Sequence, residues 1–276
     1  MKTSLFIFML FGMTGLVLAG CNNKKQYRPD ARIVSAMNAK YPKASRVEWE
    51  QKHGYQVADF YDNGMESEAW FDHNGKWLMT ESDVKYSALP SAIKNTFEKS
   101  PYSSWKKDDI DKIERQGMSA VYIIEVEKDG QETDLYFTAG GMLVKALNER
   151  ERGDRTDYMP VLPEIQTQVL QKYPGAAIIE TDKKGGKLYV DILDNRKPKE
   201  LVFDHNTWVS TSWKMDKADV PSAVMDALRN SEYKNYRIND VVFYESAASS
   251  SYRFNLEQGD KEVDVSIDPQ GKITRD

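Results

Sequence analysis

Cysteine and histidine are nearly absent: the 276-residue chain has one cysteine, Cys21, and three histidines. A body without a second thiol forms no internal disulfide, so apolar burial must hold the fold. So few soft ligands also argue against a metal centre, which needs three or four convergent donors. His73 and His205 occupy matching turns, Asp72-His73-Asn74 and Asp204-His205-Asn206, where Asp and Asn bond the local backbone. His53, beside Gly54, reads as a third turn residue. No serine stands in a Gly-x-Ser-x-Gly elbow. Lys183-Lys184-Gly185-Gly186-Lys187 lacks P-loop spacing and fits a hairpin. Neither charge predominates: 38 basic residues face 43 acidic ones, net −5, which is not a nucleic-acid-binding profile. Carboxylates are plentiful, and glycoside hydrolysis uses them in pairs. On a shallow sheet, however, no cleft would desolvate either acid. These absences lead us to expect no catalytic residue, no cofactor and no metal.

What is present begins with a targeting segment. Lys2 precedes an apolar stretch from Leu5 to Leu18 that is too short to span a bilayer comfortably. It closes on Leu18-Ala19-Gly20-Cys21, which resembles a bacterial lipobox, so residues 1–20 are expected to be a signal peptide and Cys21 the lipidated residue. Acyl chains anchor by burying about 0.8 kcal/mol per CH₂. Residues 21–28 read as a polar tether. No acidic run follows Cys21, which favours an outer-membrane anchor facing the periplasm.

Beyond the tether the sequence repeats. Phe71, Phe137, Phe203 and Ile267 each stand just before a turn, 66, 66 and 64 residues apart (137−71, 203−137, 267−203). A period that steady marks duplicated units. The repeats alternate: Tyr41-Pro42 and Tyr173-Pro174 close the helices of the first and third. Leu89-Pro90-Ser91-Ala92 and Val220-Pro221-Ser222-Ala223 open those of the second and fourth. An ABAB order implies two domains, residues 29–152 and 153–276, each with two αβ repeats. Ile33/Met37/Tyr41, Ile93/Phe97, Ile165/Val169/Tyr173 and Val224/Leu228 follow helical spacing. Each such helix is short and one-sided, needing a sheet to pack on. The fold class is therefore α+β, with helices on one face of antiparallel sheets.

Strand alternation assigns the two faces. Tyr55/Val57, Tyr122/Ile124/Val126, Leu188/Val190/Ile192 and Tyr252/Phe254/Leu256 are expected to face the helices. So are Ala69/Phe71, Leu135/Phe137, Leu201/Phe203 and Val265/Ile267. One residue off this row stand Glu68, Asp134, Glu200 and Asp264, and beside them Trp70, Tyr136, Val202 and Ser266. Gln56, Glu125, Asp191 and Tyr189 join from neighbouring strands. The helix-free face is thus expected to be an exposed acidic stripe with aromatic islands, strongest in the first domain. Polar outward positions are ordinary on strands and discourage edge pairing, but rigid exposed aromatics also make hot spots. The candidate partner-binding residues are Glu68, Trp70, Asp134, Tyr136, Tyr189, Glu200 and Asp264. On this reading, Trp70 and Tyr136 could be replaced without loss of stability.

The lipobox, the helix followed by a strand meander, and Phe71-Asp72-His73-Asn74-Gly75 before a last strand together resemble the PepSY-like, beta-lactamase-inhibitor-protein-like lipoproteins of Bacteroidetes. The resemblance covers about residues 29–276 as two copies. It implies helices packed on a sheet whose other face grips a protein. The third repeat departs from it, with Asn206-Thr207-Trp208 lacking the turn glycine, so its turn should be one residue shorter. No inhibitory loop is recognisable. The expected function is non-catalytic binding of a protein or peptide, with modulation or inhibition of a secreted or periplasmic enzyme. The alternative is a glycan- or small-ligand-binding lipoprotein that stacks sugars on Trp49, Trp70 and Trp77.

Overall fold

The structure, a computed structural model, describes residues 27–148 and 160–275. The signal segment, Cys21 and the expected 152/153 boundary lie outside these residues. Among them are four α-helices and two eight-stranded antiparallel sheets. The first unit holds α1 (Ala31–Lys40), then β1 (Ser45–Lys52), β2 (Tyr55–Asp62), β3 (Met65–Phe71) and β4 (Trp77–Asp83). There follow α2 (Ser91–Glu98), β5 (Lys106–Arg115), β6 (Val121–Lys128), β7 (Gln131–Thr138) and β8 (Leu143–Asn148). The second unit repeats the plan. It has α3 (Pro163–Lys172), β9 (Ala177–Lys184), β10 (Lys187–Asp194), β11 (Lys197–Asp204) and β12 (Thr207–Lys214). Then come α4 (Ser222–Arg229), β13 (Arg237–Ser246), β14 (Ser250–Gln258), β15 (Lys261–Ile267) and β16 (Ile273–Arg275). Each sheet is an uninterrupted meander in which every strand pairs with its sequence neighbours.

The helices form where the apolar spacing places them. Each buries two residues: Ile33 and Met37, Ile93 and Phe97, Ile165 and Val169, Val224 and Leu228. Pro163 takes the first turn of α3, where its missing N–H costs nothing. Pro90 and Pro221 sit one residue earlier, as the N-caps of α2 and α4. The tyrosines after α1 and α3 pin the helix ends to the sheet, with Tyr41 bonded to Thr80 (2.5 Å) and Tyr173 donating to Glu245 (2.5 Å). Four helix-on-sheet cores result, one per repeat.

The turn that marks each repeat is where a helix rests on its hairpin. Gly141 has φ +85°, and a Cβ there would lie 2.6 Å from the Ala92 backbone of α2. In the first and fourth repeats Asp72 and Asp268 each accept two backbone N–H bonds across the turn. In the third repeat His205 and Asn206 alone connect β11 to β12, both at positive φ. That two-residue form suits a hairpin's twist. From Phe203 to Trp208 is five positions, against six from Phe71 to Trp77, so the turn is one residue shorter, as its missing glycine implied.

One of the eight expected rows is reversed. Ala58 and Phe60, not Tyr55 and Val57, face α1, and Gln56 lies on their side, opposite Phe71. Tyr55 and Val57 join Trp70 on the helix-free face. The strand Tyr55-Gln56-Val57-Ala58-Asp59-Phe60 is apolar on both faces, so alternation alone does not settle it. The period does: 66 residues before Ile124 is Ala58.

Candidate functional site

Strand pairing puts Glu68, Asp134, Glu200 and Asp264 on the helix-free faces, opposite Asp59, Glu125, Asp191 and Asn255 respectively. Their exposure differs between the units. In the first unit Trp70 is 0%, Tyr136 1% and Asp134 3% exposed. The expectation that these three lie on an open surface is therefore wrong. Glu68 is half-buried, accepting from the Trp70 indole N–H (2.7 Å) and from Lys52 (2.5 Å). In the second unit Tyr189 is half-buried, and Glu200 and Asp264 are exposed.

What covers the first face is the second unit. Val57, Trp70, Met79, Ile113, Val121, Ile123, Tyr136 and Leu147 form a fifth core with Ala177 and Ile179 of β9, and Leu193 of β10 packs at its side. Pairing of β9 with β10 shifts between Asp191 and Ile192, leaving Ile179 as the extra residue of a bulge. The bulges of β5 and β13 carry Asp108, Asp109 and Asn239 instead. Polar bonds lock the contact. Arg115 donates to the Ile178 carbonyl (3.2 Å), and Gln166 donates to the Gln116 carbonyl. Tyr136 reaches the buried carboxylate of Glu180 (3.5 Å), and Lys145 of β8 bridges Glu180 (2.8 Å) and Asp191. The aromatic islands belong to a junction between domains, which explains why they are strongest in the first.

Beside this junction the first face is acidic. Burial, with Glu68 second, pushes the Asp59 carboxyl up to about 7, and Lys52 pulls it partly back. Asp83, exposed at its edge but partly enclosed by the strand, is pushed up to about 6 by that partial burial and by Asp109 and Glu66. Asp111 is raised well above the usual carboxylate range by burial and by Glu81, Asp109 and Asp83. Carboxylate oxygens of Glu50, Asp59 and Glu68 lie within 4.8 Å of one another. Lys52 already sits among them, 2.7 Å from Glu50 and 2.5 Å from Glu68, as a cation would.

The second face carries different chemistry at matching positions. Where the first has Trp70, Tyr136, Ile113 and Ile123, the second has Val202, Ser266, Tyr244 and Arg253, by the pairing of the strands. The Arg253 guanidinium lies over the Tyr244 ring at 3.8 Å. Sequence reasoning missed Tyr244 and Arg253, although the repeat period carried across from Ile113 and Ile123 would have reached them. The tryptophans do not gather into a sugar platform. Trp49 and Trp77 pack on the helix side, with Lys40 3.4 Å over Trp77, whereas Trp70 is buried on the other. His53, His73 and His205 are exposed turn residues.

Two αβ units of this build, each a helix-backed antiparallel meander, define a tandem α+β fold. The family described as beta-lactamase-inhibitor-like, PepSY-like matches residues 53–145 and again 187–275. The chain belongs to that family, in two copies. Among solved structures it is similar to a BLIP-like protein from Bacteroides fragilis at 36% identity, over 51% of this chain and 99% of that one, with TM-score 0.46. It is also similar to a DUF2874 family protein from Bacteroides ovatus at 32% identity, over 48% and 94%, with TM-score 0.44. Comparison with curated proteins finds no match.

Proposed function

We propose that this protein is a non-catalytic, lipid-anchored component of the cell envelope, on the periplasmic side of the outer membrane. It binds a protein or peptide through the helix-free face of its second unit and so modulates a secreted or periplasmic enzyme. One observation supports the docking most: the equivalent face of the first unit is engaged with a strand edge, that of β9. The same scaffold in the second unit presents Tyr189, Glu200, Asp264, Tyr244 and Arg253 without such a cover among the described residues. Backbone edges and alternate side chains are how extended polypeptides dock on sheets.

Site-specific photocrosslinking tests this. A crosslinker at Tyr189 or Tyr244 should trap one defined envelope polypeptide, and the same group on the outer side of α3, at the exposed Gln171, should not. Tyr244→Ala should abolish trapping from position 189 with unchanged melting temperature. Equal trapping from both sides of the sheet, or none from either, would overturn the proposal.

A further inference from the structure

At the junction of the units, one end of the second helix-free face deepens into a cavity of about 500 Å³, within the range of small-ligand sites. Tyr189 lines it, Lys145 reaches it from the first unit, and the rest of its lining comes from β9, β10, β11 and the β9–β10 turn. The charges lining it run from mainly acidic at one end to basic at the other. Glu200 pairs with Asp191 at the junction end, and Lys184 pairs with Lys187 at the hairpin end. The Tyr189 rung lies between them, with Val202 on one side and the Asp182 carboxylate on the other.

Most of the acid at the junction end is already spoken for. Lys145 holds both Glu180 and Asp191. Glu200 stands outside that network and makes no ion pair among the described residues; nor do Lys184 and Lys187 at the other end. Glu200 keeps an exposed edge, yet partial burial and the Asp191 charge raise its carboxyl while Lys145 and Lys184 pull it partly back, so a cation in direct contact would relieve the site further. From Asp191 to Lys187 is four residues of strand, about 13 Å at about 3.3 Å per residue. An extended peptide advances by a similar amount per residue.

We infer that this cavity binds a short peptide of about three or four residues with both ends free, its ammonium at Glu200 and its carboxylate at Lys184 and Lys187. The main chain crosses the Tyr189 ring between them. This rests on the peptide-binding reading above and narrows it to a ligand class and an orientation. Charge at both ends selects for free termini, because capping either one leaves a protein charge unmatched in a partly desolvated site.

Calorimetric titration of the full chain in detergent with tetra-alanine tests the assignment. Free tetra-alanine should bind, and N-acetylation or C-terminal amidation should each weaken it at least tenfold. Glu200→Gln should weaken the free peptide about tenfold while leaving the N-acetylated form unchanged. The double variant Lys184→Ala, Lys187→Ala should do the same for the amidated form. Absence of binding at millimolar peptide, or equal binding of the capped peptides, would overturn the inference. Crosslinking of a polypeptide from Tyr189 without any tetra-alanine binding would sink the cavity assignment and leave the docking face standing.

Discussion

Trp70 shows how much one side chain can carry when two elements share it. Its ring is fully buried and lies 5.9 Å edge-on from Tyr55, and its indole N–H satisfies Glu68. Emptying such a site leaves a cavity and takes from the Glu68 carboxylate one of its two donors, Lys52 being the other. Trp70→Ala should therefore destabilise the protein by about 3–5 kcal/mol, the range for large buried aromatics. Tyr136→Ala should cost slightly less, and both are measured by chemical denaturation. This reverses what strand alternation implied for these residues. A position one step off the core row is polar or exposed only if nothing lands on it. The covering element, β9, begins 41 residues beyond Tyr136 and 107 beyond Trp70 (177−136, 177−70).

At the scale of the element, period and alternation made the helices, the meander and the shortened third turn legible. They failed where a strand is apolar on both sides, as β2 is with Val57 and Phe60 both buried. Alternation presumes one wet face. Strands buried on both faces read as near-continuous apolar runs, and β2 was that signal, as was Ala176-Ala177-Ile178-Ile179 entering β9. The acids of β2 to β5 add a pH dependence. Asp59 and Asp83 titrate near 7 and 6 when folded, against an ordinary value near 3.8. Between about pH 4 and 7 the folded chain thus holds protons that the unfolded chain has released, so stability falls as pH rises through that window. The melting temperature should be higher at pH 5 than at pH 8. Asp59→Asn combined with Asp83→Asn should flatten the difference, with circular dichroism as the readout.

For the whole molecule, the two units are joined by contacts that their sequences carry unequally. The first supplies an apolar face, and the second supplies the bulged edge and two carboxylates. Lys145 closes the arrangement, and Glu180 beneath it is 4% exposed. Lys145→Met should remove one of that carboxylate's charged partners and cost about 2 kcal/mol, near the worth of a hydrogen bond to a charged group. Glu180→Gln in the same chain should recover part of the loss, a double-mutant cycle that reads the coupling directly.

The lodging of β9 also makes the molecule unequally divisible. A fragment ending at Asn148 would carry an oily scar where its neighbour had lain, and should self-associate on a sizing column. A fragment beginning at Pro160 would surrender only one seam of edge and should run as a monomer. Duplication made two look-alike halves, yet only the later one could live alone.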